Sequence, residues 1–374
     1  MYFLYGFYAA AVIFSGYYLF FMCYHAVGIK KTVFTQNPIA VQGVSILIPV
    51  RNDAKQITQL LDCLLIQKNV FVPVQILIID DHSQDDLYTV LQPYLHTVEY
   101  LPLPQEKQGK KQAIEHGILQ AKHEIIITTD ADCTMHEEWL YTLLSCFEEQ
   151  VQFVSAPVLL QANTLFEKIQ QIELMGLVGI GAGAIYYHKP NLCNGANLAY
   201  RKSAFNAVNG YEGSRHLASG DDELLMHKIH AYFNKKRGIV FCKNFDAIVY
   251  TPAQHTLKQF LQQRKRWISK ARHYQRKGLT TQLVLLYSFY IVLLVSSMLS
   301  LWFIDFLYIS TTLWTIKILA EYSIMIQMFS FFRQKTIKNT VIFLISQMFQ
   351  CMYVLWAGIV SLRPAFIWKE RKYE

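Results

Sequence analysis

The stretch Glu124-Ile-Ile-Ile-Thr-Thr-Asp130-Ala131-Asp132-Cys133 constrains this chain more than any other. Three consecutive isoleucines leave no polar face. The segment therefore fits a strand buried on both sides, in a sheet with helices on each face. The apolar run then stops at two carboxylates, one residue apart. In an open parallel sheet, ligands bind beyond the carboxyl ends of the strands. Two acids there repel each other unless a cation lies near them. A hard divalent ion, Mg²⁺ or Mn²⁺, suits oxygen ligands and would hold a diphosphate. Taken alone, the triplet is more simply explained by Asp132 capping a helix that begins near Met135.

The preceding sequence repeats the pattern. Val44-Ser-Ile-Leu-Ile-Pro49 reads as a first strand and runs into Val50-Arg51-Asn52-Asp53. The next segment carries Ile57, Leu60, Leu61, Leu64 and Leu65, the spacing of a helix packed on a sheet. Val74-Gln-Ile-Leu-Ile-Ile79 reads as a second strand, running into Asp80-Asp81-His82-Ser83-Gln84-Asp85. A weaker strand lies near Val98 to Leu101, and Gly109-Lys110-Lys111 opens a helix through about Ala121. Strand and helix alternate at short spacing, which predicts a doubly wound α/β sheet. Single Asp pairs in loops are common as caps and turns. Acids after three successive apolar strands instead point to one polar crevice. No GxGxxG follows the first strand, which argues against a dinucleotide dehydrogenase.

Further on, Phe153 to Pro157 fits a strand. Leu165 to Gly183 is apolar and Gly-rich at its end, fitting a helix on a membrane surface. Asn194-Gly195-Ala196-Asn197-Leu198-Ala199-Tyr200-Arg201 reads as a turn and a strand. Ser219-Gly220-Asp221-Asp222-Glu223 reads as a turn opening a helix, whose dipole alone would favour acids in the first turn. From Gln254 to Gly278 there is no acid, while Lys258, Arg264, Lys265, Arg266, Lys270, Arg272, Arg276 and Lys277 are basic. Leu257, Phe260, Leu261, Trp267 and Ile268 give that stretch an apolar side. It suits an anionic lipid surface, or a lid over phosphates.

Of the 374 residues, 53% are apolar and only 17% charged, a balance that implies membrane segments. Met1 to Gly28 contains no Asp, Glu, Lys or Arg and lacks the basic start and cleavage site of a signal peptide, so it reads as a retained anchor. Lys30 and Lys31 place the next domain on the cytoplasmic side. Gln282 to Ile304 and Thr340 to Leu362 are uncharged and long enough to span. Between them, Phe306 to Phe332 carries Lys317 and Glu321, a costly pair in lipid, so that segment faces protein or lies partly at the interface. Arg333 to Lys338 and Arg363 to Lys372 are basic and both require the cytoplasmic side, yet three full crossings would put the tail outside. One of the three segments is therefore expected to be re-entrant or interfacial. Seven cysteines without a CxxC pair indicate free thiols in a reducing compartment.

In order, these motifs resemble membrane-bound family 2 glycosyltransferases. The resemblance rests on Ile48-Pro49-Val50-Arg51-Asn52, Asp80 to Asp85, Gly109-Lys110, Asp130-Ala131-Asp132, Asn194 to Asn197 and Gly220-Asp221-Asp222-Glu223. It is completed by Gln263-Arg264-Lys265-Arg266-Trp267, a QxxRW motif. It covers about residues 40 to 275 and the layout of anchor and membrane block. It implies a GT-A type nucleotide-sugar-binding domain, an α/β fold with a doubly wound mixed sheet. The expected divisions are an anchor over 1–28, a cytoplasmic domain with interfacial helices over 29–278, and a membrane block with basic tail over 279–374. The family's residue roles carry over onto the matching positions. Asp81 would contact the uracil of a UDP-sugar, with Arg51 and Asp53 lining the same pocket. Lys110 would approach the diphosphate. Asp130 would sit near the ribose and the metal, which Asp132 would ligate as Mg²⁺ or Mn²⁺. Asp222 would be the catalytic base beside Asp221. Asn197 and Glu223 would line the sugar pocket, and Gln263, Arg266 and Trp267 would close over donor and acceptor. Asp53 departs from the pattern, which more often has Glu there.

The implied reaction is inverting transfer to a membrane lipid or lipid-linked acceptor at a bacterial inner membrane. The tail Ile367-Trp368-Lys369-Glu370-Arg371-Lys372-Tyr373 looks like that of lipid-acceptor members. The alternatives are a processive polysaccharide synthase and, more remotely, a non-catalytic nucleotide-sugar-binding protein. Anionic lipid is an expected partner and nucleic acid is not. Residues 30 to 278 are then expected to resist protease in intact cells and to be cleaved in inverted vesicles. Cleavage in intact cells would overturn the orientation.

Overall fold

The computed structural model describes residues 2–34, 40–217, 219–234, 237–274, 277–361, 366–369 and 371–373. Arg276, Arg363 and Glu370 of the two basic segments lie outside them. Helix α1 (Tyr2–Lys31) leads into the expected alternation of β1 (Val44–Val50), α2 (Ala54–Leu65), β2 (Val74–Asp80), α3 (Leu87–Leu91), β3 (Glu99–Pro102), α4 (Lys110–Gln120) and β4 (Ile125–Thr128). The four strands pair in parallel in the order β3-β2-β1-β4. Side chains alternate between the sheet's faces. Ile46 and Ile48 pack with Ile57, Leu60, Leu61 and Leu64 of α2, while Leu47 packs with Ala113, Ile114 and Ile118 of α4. Leu65, the last residue of the expected stripe, is exposed.

Beyond β4 the sheet becomes mixed. After β5 (Thr134–Met135) and α5 (Trp139–Leu144) come β6 (Phe153–Ser155), β7 (Val158–Gln161), α6 (Leu165–Tyr186), β8 (Leu198–Arg201), α7 (Lys202–Ala207), α8 (Glu223–Phe233), β9 (Ile239–Phe241) and β10 (Val249–Pro252). Strand β8 inserts antiparallel between β4 and β6, and β9 completes a seven-stranded sheet. Strands β5, β10 and β7 form a small second sheet.

The chain closes with α9 (Leu257–Ser269), α10 (Lys277–Leu299), α11 (Ile304–Phe331), α12 (Ile337–Val360) and a hairpin of β11 (Phe366–Trp368) and β12 (Arg371–Tyr373). Among the described residues, segments Leu4–Lys31, Leu165–Tyr186, Gly278–Leu299 and Ile337–Val360 are long and apolar enough to cross a membrane. Helix α6 is mostly enclosed by protein, and Thr164 and Glu167 form a capping box at its start. Helices α1 and α6 meet at glycines. A Cβ on Gly28 would lie 2.6 Å from the Gly183 carbonyl oxygen, and one on Gly183 would lie 2.5 Å from that of His25. Only residues without a side chain let the backbones approach so closely.

The charged helix α11 buries its charges. Lys317 Nζ lies 3.0 Å from Glu321 and donates to Gln347 and to Gln350, while Glu321 accepts from Tyr18 and Tyr290. The pair thus faces protein. Phe306 packs on Phe7 and Gln327 donates to the Ala26 carbonyl, so α11 descends beside α1 to the α/β domain. There Arg333 stacks 3.8 Å from the Phe245 ring. Helix α12 consequently begins at that domain. Its later residues Phe349 and Tyr353 pack on Phe260 of α9, and the hairpin after it reaches the ends of β1 and β2. Both ends of α12 are therefore tied to the domain, and its apolar sequence runs alongside it.

Breaking a buried pair by removing one partner strands a charge. Lys317→Leu should destabilise the protein by about 3–5 kcal/mol, read as a lower melting temperature in detergent. Adding Glu321→Gln should recover most of the loss. Equal melting of Lys317→Leu and wild type would show that the pair contributes nothing.

Candidate active site

The parallel register sets Val50 opposite Asp80 and Leu47 opposite Thr128. The residues that follow β1, β2 and β4 are thereby brought to one edge of the sheet. The Asp81 amide donates to the Val50 carbonyl at 2.8 Å. Arg51 braces the second loop, donating from Nη1 to the carbonyls of Asp81 and His82 at 2.7 and 2.9 Å. Asp80 and Asp85 hold backbone. Asp80 accepts from the Ser83 amide and the Tyr100 hydroxyl, and Asp85 from the Ala54 amide. Asp81 turns into the cleft and accepts from the Gly109 amide at 3.0 Å.

Gly109 has φ +89°, a conformation that side chains rarely tolerate, and it starts α4 so that Lys110 points into the cleft. Lys110 Nζ lies 2.7 Å from Asp130 Oδ1 and 3.0 Å from Asp221 Oδ2. Burial alone would lower the Lys110 ammonium, but Asp130 and Asp221 outweigh it and hold it above its ordinary value. Burial would likewise raise Asp221, yet Lys110 holds it well below the usual carboxylate range. Gly195 leaves the room for this contact: a Cβ there would lie 2.8 Å from Asp221 Oδ2 and 3.1 Å from Lys110 Nζ.

Asp132 faces the same cavity, with Thr251 Oγ1 donating to it at 3.4 Å. Burial, then repulsion by Asp130 and Asp53, raises its pKa to about 6. Both causes disfavour the carboxylate's charge, and a cation beside it would relieve them. Among the described residues no group of three or more His, Cys, Asp or Glu could enclose a metal. The carboxylates present fit a hard divalent ion whose remaining ligands come from elsewhere, such as diphosphate oxygens.

Gly220, φ +84°, turns the chain into α8, and a Cβ there would lie 2.8 Å from Leu224. Asp222 both caps the helix and faces the cavity. Its Oδ1 accepts from the Glu223 amide at 2.7 Å and from Lys270 at 3.3 Å, and its Oδ2 accepts from the Gly195 amide at 3.2 Å. Glu223 lies deeper, held by Lys270 at 2.9 Å and the Tyr274 hydroxyl at 2.6 Å. Burial, with Asp222 nearby, pushes Glu223 up to about 7. Of the three acids, Asp222 has the most exposed side chain, 14% against 9% for Asp221 and 5% for Glu223.

Gln263, Arg266 and Trp267 of α9 line the cavity. Beneath them, buried Arg264 pairs with Glu173 at 2.6 Å and lies over the rings of Phe260 and Trp267. Asn197, expected in the sugar pocket, is fully buried outside it. It accepts from Trp139 Nε1 at 3.0 Å and donates to the carbonyls of Pro157 and Ala247, each at 2.8 Å, so its amide ties β8 to adjacent loops. Four residues of the site were not singled out from sequence: Lys270, Tyr274, Lys369 and Arg371. Lys270 falls on the QxxRW face, three residues after Trp267, a spacing that could have marked it. Nothing local marks Tyr274, and the tail that carries Lys369 and Arg371 stands out as basic and as like that of lipid-acceptor members without pointing to this cleft.

The cavity, about 2030 Å³, is continuous. It runs from Arg51, Asp81 and Asp132 past Asp222 to apolar walls that include Leu283, Val354 and Ala357.

Residues 45–208 match the family model described as glycosyl transferase family 2. Over 182 residues, 46% of the chain, the sequence is 25% identical to the poly-β-1,6-N-acetyl-D-glucosamine synthase of Staphylococcus epidermidis, covering 42% of that protein. Over 99 residues, 26% of the chain, it is 30% identical to glycosyltransferase AglE of Haloferax volcanii, covering 33% of it. The chain thus spans less than half the length of these curated relatives. Among solved structures, the mannosyltransferase PcManGT from Pyrobaculum calidifontis, in complex with GDP-Man and Mn²⁺, matches with a TM-score of 0.58. That match has 14% identity and covers 96% of this chain and 98% of that one, so the likeness is one of fold.

Asp132 yields a stability test. Its pKa rises on folding from 3.8 to about 6, so its ionisation costs nothing below pH 3.8 and its full penalty above pH 6. Asp132→Asn removes the charge. In metal-free protein it should be more stable than wild type at pH 8, by about 3 kcal/mol at most, and no more stable at pH 4. A variant that melts no higher than wild type at pH 8 would show that Asp132 carries no such penalty.

Proposed function

Residues 45–208 are a family 2 glycosyltransferase domain, and on that premise we propose that the protein transfers a sugar, with inversion, from a UDP-sugar to a membrane lipid or lipid-linked acceptor. Asp81, with Arg51 and Asp53, receives the nucleotide base. Asp130 and Asp132 hold a divalent ion, Mg²⁺ or Mn²⁺, which when bound neutralises charge on the diphosphate. Lys110 and Arg266 add positive charge as the diphosphate departs with the bonding electrons. Asp222 takes the proton from the acceptor hydroxyl as its oxygen attacks the anomeric carbon. Attack in line, opposite the leaving diphosphate, converts an α-linked donor into a β-linked product. Lys270 and the Gly195 amide fix the carboxylate of Asp222. Glu223, engaged by Lys270 and Tyr274, positions that lysine.

The observation that carries the acceptor class is the single cavity joining the acidic cleft to apolar walls of α10 and α12. A molecule with a hydroxyl head and a hydrocarbon body could lie along it with its head at Asp222. Likeness to a poly-β-1,6-N-acetyl-D-glucosamine synthase supports a second reading, extension of a polysaccharide. In both readings the domain works at the cytoplasmic face of a bacterial inner membrane. Support for that side comes from Lys30 and Lys31 at the end of α1 and from the basic α9.

One experiment addresses donor, metal, base and acceptor. Membranes containing the protein are incubated with a panel of labelled UDP-sugars, with and without EDTA. One sugar should be transferred into organic-extractable product, and EDTA should abolish the transfer. Asp222→Asn should lower turnover about 10²- to 10⁴-fold while leaving UDP affinity unchanged. Label in aqueous, polymeric product would favour the polysaccharide reading. Transfer that survives EDTA or Asp222→Asn would remove the metal or the base respectively.

A further inference from the structure

The acidic cleft has an occupant for which the proposed reaction has no role. After α12 the chain returns as the β11–β12 hairpin, beside α9. Lys369, between the two strands with φ 48°, sets its Nζ 2.6 Å from Asp53 Oδ1 and 2.8 Å from the Arg51 carbonyl. The Lys369 carbonyl in turn accepts from Arg51 Nε at 3.3 Å. Arg371 grips Asp81 with two prongs, Nη1 to Oδ2 at 2.6 Å and Nη2 to Oδ1 at 3.1 Å. These contacts join residues 290 to 318 positions apart. They also fall on two of the acids assigned to the nucleotide base.

A two-pronged guanidinium contact uses both carboxylate oxygens in one plane. With the Gly109 amide also on Oδ2, three of the roughly four acceptor sites of the Asp81 carboxylate are taken while Arg371 is seated, and the guanidinium covers the edge that a base N–H would approach. Lys369 has a second effect, since it lines the same cavity as Asp130 and Asp132. A divalent ion held there would repel its ammonium. Base and metal would therefore each work against the seated hairpin.

We infer that the C-terminal hairpin is a tethered competitor of the metal-bound donor, with Lys369 and Arg371 occupying the acids of the nucleotide pocket until the donor displaces them. The inference rests on the proposed nucleotide-sugar donor. A hairpin seated nine-tenths of the time lowers apparent donor affinity about tenfold.

The test uses full-length protein in detergent, titrated with UDP and Mn²⁺ by calorimetry and followed by amide hydrogen exchange over residues 366–373. In wild type these amides should be protected without nucleotide and lose protection when UDP and Mn²⁺ are added. Lys369→Ala with Arg371→Ala should bind UDP about tenfold more tightly, as should a chain ending at Ser361. Two results overturn the competition alone: equal or weaker UDP binding by both variants, or a hairpin that stays protected at saturating UDP and Mn²⁺. Weaker binding would make the hairpin a ligand of the donor. If UDP with Mn²⁺ binds neither wild type nor variants, the donor reading falls, and the competition falls with it.

Discussion

One buried ammonium joins the two halves of the site. Lys110 bridges Asp130, at the end of a central strand, and Asp221, at the turn into α8. Removing a charge from water is expensive, and here that cost is offset only because each partner requires the other. The lysine is aimed by a left-handed glycine at the head of α4, and it reaches Asp221 through space that Gly195 leaves open. The strand end and the helix turn are thereby held at a fixed separation. The proposed base follows Asp221 directly in the chain, so its distance from the carboxylates of Asp130 and Asp132 depends on this contact.

The α/β half was legible because its signals are local. Unbroken apolar runs at Ile46 to Ile48 and Ile125 to Ile127 can be buried on both faces only in a covered sheet, and the structure covers them. The acids at the strand ends were legible for the same reason, since polarity changes sharply there. Asn197 shows where local reading fails. The same amide chemistry suits a sugar pocket and a buried crosslink, and its environment is built by Trp139, Pro157 and Ala247, all distant in sequence. The tail shows a different limit. Its basic character indicates a side of the membrane but not a partner, and Lys369 and Arg371 hold specific carboxylates. A pairing across some three hundred residues leaves no periodicity to detect.

Composition and packing also divide the membrane helices differently. Helix α12 has the sequence of a span, yet both its ends are tied to the α/β domain. Helix α11 carries Lys317 and Glu321, and it runs the length of α1. Buried charges with hydrogen-bonding partners on α1, α10 and α12 are compatible with such a position. Hydropathy scores a segment in isolation, so it sees the charges but not the partners that accommodate them.

The hairpin also bears on the order in which the site is assembled. Chains emerge from the ribosome amino end first, and domains fold largely in that order. Asp53 and Asp81 are therefore synthesised long before Lys369 and Arg371, the residues that pair with them 316 and 290 positions later. Until then the nascent domain carries an acidic cleft lacking these two cations. The cations arrive only after α10, α11 and α12 have been made. A chain truncated just short of the hairpin would retain every strand of the main sheet and still leave Asp53 and Asp81 without these cations. The hairpin thus marks, at the site itself, that translation has passed the membrane helices.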